Sequence, residues 1–116
     1  MAPATAATAL GRSGEDAAAA WYVDQGYQIS ARNWTCPTGE IDLICRRGRV
    51  LVICEVKTRS SDRFGSPFES VTSAKRRRLR RLAALYLLEA DPGTSVVRFD
   101  VAAVRDGSVE VIESAF

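Results

Sequence analysis

The sequence predicts an α/β protein: a mixed central sheet flanked by helices, in the order helix-strand-strand-strand-helix-strand-strand. Three observations predict it. Two apolar stretches, Glu40 to Cys45 and Val50 to Lys57, flank the short basic turn Arg46-Arg-Gly-Arg49 and read as a hairpin. Helical segments lie on both sides of the strand group, one after Ser13 and one from Lys75 to Ala90. A chain of 116 residues fits one domain, and strands interleaved with helices bury their apolar faces best as a sheet with helices packed on it.

The elements follow in order. Residues 1–10, Ala/Thr-rich and without a basic n-region, read as a disordered N-terminal arm rather than a signal peptide. Ser13 followed by Asp16 resembles a capping box; Ala17 to Ala20, Trp21 and Val23 favour helix, and Gly26 stops it. Tyr27 to Trp34 is rich in β-formers and gives a first strand, ended by the turn Thr35-Cys-Pro-Thr-Gly39. The hairpin supplies two more strands. Thr58 to Phe64 is loop-like, and either Ser66-Pro67-Phe68-Glu69 or Thr72 could cap the second helix, which ends at Asp91-Pro-Gly93. Val96 to Val104 and Val109 to Ile112 are strands around the Asp106-Gly107 turn.

The absence of histidine removes whole classes of chemistry. There is no His general base, no Ser-His-Asp or Cys-His arrangement and no HExxH or Cys2His2 metal site. Acid–base or metal chemistry falls to carboxylates and lysine. Cys36, Cys45 and Cys54 are one thiol short of a four-ligand zinc site and odd in number for a disulfide scaffold. Reduced thiols point to the cytoplasm, and no run approaches the ~20 apolar residues of a membrane helix.

The net charge of +2 hides a dipole. Residues 46–81 hold 12 Lys/Arg and 3 Asp/Glu, a local +9, against −7 in the remainder. Such asymmetry suggests a polyanion partner, DNA or RNA, although solvated basic helices are common. Counting 100° per residue from Leu79 gathers Thr72, Lys75, Leu82, Ala83, Tyr86 and Ala90 within about 60° as a buried stripe. Arg77 and Arg81 face away, Arg76 and Arg80 flank one side, and Arg78 flanks the other. These arginines suit phosphate contacts. Lys75 lies on the inward stripe; with Lys57 it is one of only two lysines beside 14 arginines.

The hairpin carries the candidate chemistry. If Gly48 and Arg49 form the turn, Arg47 pairs with Val50, Asp42 faces Glu55, and Glu40 faces Lys57. A turn of Arg47 and Gly48 leaves Asp42 diagonal to Glu55 on the same face. A three-residue loop sets Asp42 against Cys54 and breaks the site. Opposed carboxylates have Cβ atoms about 4.5–5.5 Å apart and repel, which a bound cation relieves. Few hard oxygen ligands suit Mg²⁺ or Mn²⁺, and Lys57 beside Glu55 can orient or deprotonate an attacking water. The chemistry this implies is phosphodiester hydrolysis. The plainer reading is a solvated strand face, but these charges emerge from strands apolar on both sides.

Gly14-Glu15, Gly39-Glu-Ile-Asp-Leu-Ile44, Leu51-Val-Ile-Cys-Glu-Val-Lys-Thr-Arg59 and Ser70-Val-Thr-Ser-Ala-Lys75 resemble the YraN family. These are small bacterial proteins predicted to be endonucleases, similar to archaeal Holliday-junction resolvases and to the restriction-endonuclease-like PD-(D/E)xK fold. The resemblance runs from about Gly11 to the Phe99-Asp100-Val101 strand, and Ile41 stands where the superfamily's motif name has Pro. It implies a restriction-endonuclease-like core and a single nuclease-like domain over residues 11–116. It also implies metal ligands at Asp42 and Glu55, a catalytic lysine at Lys57, and Glu15 joining the metal. Glu15 is equally explained as a first-turn acid favoured by the helix dipole. Lys75, Arg76, Arg77, Arg80, Arg81 and Arg59 are the expected nucleic-acid contacts. The expected activity is a Mg²⁺- or Mn²⁺-dependent endonuclease acting on branched or flapped DNA as a homodimer. Two other readings stay open: a nucleic-acid-binding module that does not cut, and a protein-interaction domain that keeps the nuclease fold.

Overall fold

The computed structural model describes residues 6–59, 71–90 and 93–116, with side chains from Ser13 onward. Helix α1 is Ala6–Asp24; strands β1, β2 and β3 are Gln28–Cys36, Gly39–Arg47 and Val50–Arg59. Helix α2 is Ser73–Glu89, and strands β4 and β5 are Val96–Arg105 and Ser108–Ile112. The strands form one sheet in the order β1-β2-β3-β4-β5. The β3–β4 pair is parallel and the other neighbours are antiparallel, so the protein is a mixed α/β fold.

Two tight turns set the register. Arg47 pairs with Val50, so Gly48 and Arg49 form the β2–β3 turn, with Gly48 at φ 61°. That is the first of the two turn positions, where a glycine tolerates positive φ without a Cβ clash. Asp106 and Gly107, at φ 50° and 79°, make the β4–β5 turn.

Helix α1 departs from expectation. It begins at Ala6, so residues 6–10, assigned above to a disordered arm, are helical. Alanine is the best helix former, and Ala6, Ala7 and Ala9 carry the helix upstream of Ser13. Ser13 is therefore inside α1 and not its cap, while Asp16 pairs with Arg32 of β1 at 2.6 Å. Residues 1–5 and the alternative cap at Ser66 to Glu69 lie outside the described residues. Thr72 caps α2, its hydroxyl accepting from the Lys75 amide at 3.2 Å.

Each helix covers one face of the sheet. Ala18, Ala19 and Tyr22 of α1 pack on Leu43, Cys45, Val52, Cys54 and Ala102. Leu79, Leu82, Ala83 and Tyr86 of α2 pack on Ile44, Leu51, Ile53 and Phe99. Each buried Leu or Ile contributes about 1.5–3 kcal/mol, and coverage of both faces explains why β2 and β3 are apolar on both sides.

The α1 side also encloses one carboxylate. Asp100 is fully buried and accepts hydrogen bonds from the Tyr22 hydroxyl at 2.7 Å, from Nε and Nη2 of Arg98 at 2.9 Å each, and from the Ser114 amide at 3.1 Å. A buried carboxylate survives only with such partners. Burial, then the neighbouring Cys54 and Asp100, push the Tyr22 hydroxyl far above its ordinary pKa, so it remains a donor.

The β1–β2 ladder shifts register between Ile29 and Ala31, and a second dislocation lies at Asp42, where pairing lapses without a change of register. The β1–β2 ladder steps from Arg32–Leu43 to Trp34–Ile41, and the β2–β3 ladder ends at Leu43–Cys54. Asp42 steps out of both ladders, and Asn33 takes φ 53°. Among non-glycine residues, Asn is one of those that best tolerate this conformation. The break satisfies its own backbone: the Val56 amide donates to Asp42 Oδ2 at 2.9 Å.

Candidate active site

The dislocation at Asp42 and the first turn of α2 meet at one end of the sheet. Asp42 and Glu55 line a cavity of about 300 Å³ with Gly39, Glu40, Lys75, Arg78 and Leu79. Strand alternation sends Glu55 and Lys57 to the α2 side, as it does Ile53. The Thr72 cap orients the start of α2 so that Lys75 Nζ reaches Glu55 Oε1 at 2.7 Å. Lys57 Nζ lies 3.3 Å from the same oxygen.

The electrostatics follow from burial and crowding. Burial and the Glu55 charge push Asp42 up to about 7 from its ordinary 3.8, against the Val56 amide, which lowers it; Glu15 and Glu40 add to the rise. Burial and the adjacent Lys75 ammonium lower the Lys57 pKa, and Glu55 offsets part of that. Burial works most strongly to lower Lys75, but its hydrogen bonds to Glu55 and Lys57 and the charges of Glu55 and Asp42 together outweigh it, and the pKa is raised. One lysine is thus held as a firm cation and the other is eased toward losing its proton.

The expected site residues divide as follows. Asp42, Glu55, Lys57 and Lys75 come together. Glu15 sits at the margin, its Oε2 accepting from Asn33 Nδ2 at 2.9 Å, close enough to act on Asp42 through its charge. Among the described residues no three acidic or thiol groups converge into a ready metal cluster. Gly14 explains how Glu15 gets there: a Cβ on Gly14 would fall on the Thr58 hydroxyl of β3, so glycine lets α1 approach the strand.

The arginines also separate. Arg76, Arg77, Arg80 and Arg81 are exposed along α2. Arg59 is half-buried and lines a different cleft with Ala103, Ser108 and Glu110 of β4 and β5. Sequence reasoning did not select Arg78 or Asn33. The helical projection already set Arg78 on the flank opposite Arg76 and Arg80, which is the cavity side. Asn33 carried only the weak signal of an Asn within a run of β-formers. Cys45 and Cys54 are buried and unpaired, and burial pushes the Cys45 thiol up to about 12, so it is inert at neutral pH.

Three carboxylate residues, Glu40, Asp42 and Glu55, line the cavity with no histidine or thiol among its walls, a donor set that fits a hard divalent cation; Asp42 and Glu55 would hold it. The fold and site define a mixed α/β protein with a carboxylate–lysine pocket at one end of a five-stranded sheet. The chain belongs to the family described as "Uncharacterised protein family UPF0102", the YraN-like group, whose model matches residues 14–104. It is 51% identical over 112 residues to a UPF0102 protein of Moorella thermoacetica, covering 91% of this chain and 93% of that protein. It is 52% identical over 106 residues to one of Beutenbergia cavernae, covering 89% and 90%. It is 50% identical over 113 residues to UPF0102 protein Francci3_3586 of Frankia casuarinae, covering 93% and 96%. Among the described residues no helix is long and apolar enough to cross a membrane.

Proposed function

We propose that this protein is a divalent-metal-dependent nuclease of the cytoplasm that hydrolyses phosphodiester bonds in DNA, with a restriction-endonuclease-like core. One observation carries the reading: Asp42, Glu55 and Lys75 line one cavity at the foot of an arginine-rich helix, and Lys57 reaches the same Glu55 oxygen from beside it. A solvated strand face would not bury Glu55 to 7% exposure or crowd it against a second carboxylate. Branched or flapped DNA is the preferred substrate, since nothing resembles a base-reading module. A homodimer is the expected assembly, because so small a domain spans little of a duplex.

Mg²⁺ or Mn²⁺ held by Asp42 and Glu55 would polarise the phosphoryl oxygens and acidify water. The chain's own groups do the rest. Lys57, with its lowered pKa, orients the attacking water and can take its proton. Lys75 remains charged and faces the negative charge that develops on the phosphoryl oxygens. Arg77 and Arg81 hold the flanking backbone phosphates.

The test uses labelled duplex, flap and four-way-junction DNA with Mg²⁺ or Mn²⁺, beside Asp42→Asn and Lys57→Ala. Metal-dependent cleavage by the wild type, lost in both variants while DNA binding persists, is the expected result. Binding without cleavage in any metal would make the protein a binding module instead. Absence of binding at low salt would remove both readings.

A further inference from the structure

Across α2 from the carboxylate cavity, on the Arg76 flank, lies an aromatic feature that the proposed chemistry does not use. Phe116 stacks on Phe99 with ring centroids 5.2 Å apart and planes 29° from parallel. Arg76 lies 5.5 Å from the Phe116 centroid, and Arg80 lies 4.9 Å from Phe99 and 5.7 Å from Phe116. Phe99 is buried and Phe116 is half-buried, so the pair has a rooted ring and one partly open to solvent. Among the described residues neither arginine has a carboxylate within ion-pair distance.

The feature is held rigidly. The Ala115 amide donates to the Phe99 carbonyl at 2.7 Å, and the Ser114 amide donates to the buried Asp100 carboxylate. Arg76 Nε donates to the Val71 carbonyl at 3.0 Å, leaving its terminal nitrogens free of that bond. Phe99 pairs with Ile53, two residues before Glu55 on the neighbouring strand. Strand geometry then sets the Cα atoms of Phe99 and Glu55 about 8 Å apart.

We infer that Phe116, Arg76 and Arg80 form a binding site for one unpaired nucleotide of the substrate, the ring stacking its base and the guanidiniums holding its phosphate. A paired base keeps both faces inside the helix stack and cannot use such a ring; a base freed at a flap or branch can. Arginines held over aromatic rings, with no acid among the described residues to neutralise them, suit a polyanion whose charged and aromatic parts alternate. This rests on the nuclease reading and deepens it: the substrate carries a single-stranded nucleotide on the Arg76 flank of α2, across that helix from the bond that is cut.

Fluorescence anisotropy tests the inference, with the full chain in EDTA at low salt. The probes are a labelled blunt duplex and the same duplex with a single-stranded thymine tail. The tailed duplex binds tighter by about tenfold, the scale of one base–aromatic stack. Phe116→Leu, which keeps apolar packing on Phe99, brings the two affinities together. Phe116→Trp keeps the preference and loses indole fluorescence on adding the tailed duplex but not the blunt one. Equal binding of both DNAs by the wild type overturns the inference and leaves the nuclease reading standing. So does an unchanged preference in Phe116→Leu. If Phe116→Leu melts lower than the wild type, the Phe116→Trp protein decides the matter, and unquenched fluorescence overturns the site. Failure to bind either DNA overturns both proposals.

Discussion

Asp42 holds its proton to about pH 7 in the folded protein and loses it near 3.8 once unfolded. Between those values the unfolded chain binds fewer protons than the folded one, so folding stability declines as pH rises from about 4 to 7 and does not return above that. The loss comes from burying a charge against Glu55. Asp42→Asn removes the charge, and its amide oxygen can still accept from the Val56 amide. The variant is therefore expected to melt several degrees above the metal-free wild type at pH 8 and to match it below pH 4, as thermal unfolding in EDTA at both pH values would show. A variant that melts lower at pH 8 would mean that Asp42 is structural. A site residue that weakens its own fold is the usual sign of a position kept for chemistry. Asp100 is the opposite case: a carboxylate with four hydrogen bonds, all serving the fold.

At the scale of elements, α1 docks on β3 through the Gly14–Thr58 approach. Gly14→Ala gains about 1 kcal/mol of helix propensity in isolation. Here its methyl collides with the Thr58 hydroxyl, which belongs to a short side chain on a strand and cannot swing far. The substitution is expected to destabilise by about 1–3 kcal/mol in urea unfolding. Thr58→Ala in the same chain should recover most of that, as contacting residues couple. Additive losses in the double variant would show that α1 is positioned by something else. The hairpin was legible because its logic is local. A two-residue turn and a period of two suffice to set Asp42, Glu55 and Lys57 on one side. The start of α1 was misread because the apparent Ser13–Asp16 cap outweighed the helix preference of the alanines before it. The partners of Glu15 and Asp100 were not legible at all: Tyr22 and Asp100 are 78 residues apart, and Asn33 matters only because the β1–β2 ladder skips it.

Across the whole molecule the charges are sorted. Lys75 and Arg78 of α2 border a pocket that also holds Glu40, Asp42 and Glu55, and the other arginines of α2 lie outside it; under the proposed function that field would draw in a polyanion while the pocket would favour a small cation. Arg77→Ala with Arg81→Ala is expected to weaken DNA binding and flatten its dependence on salt, each lost phosphate contact lowering the slope by roughly 0.9. Titrations at several salt concentrations would check this, and an unchanged slope would remove that helix face from the interface. The class of fold was readable from the order of elements and the double-sided apolar strands. The dislocation at Asp42 was not, because a break in a ladder has no periodicity of its own.

The parallel β3–β4 pair has a kinetic side. The β2–β3 hairpin closes over two turn residues and can form within microseconds. The β3–β4 pair must wait for the whole stretch from Arg59 to Val96 to fold back, a longer loop to close. Until β4 arrives carrying Asp100, and α1 returns from the opposite end of the chain with the Tyr22 hydroxyl, β3 has one edge bare. The carboxylate hairpin is then local enough to form early, while its β3 edge stays open until β4 docks. During synthesis and refolding its open β3 edge is the segment most exposed to pairing with another chain.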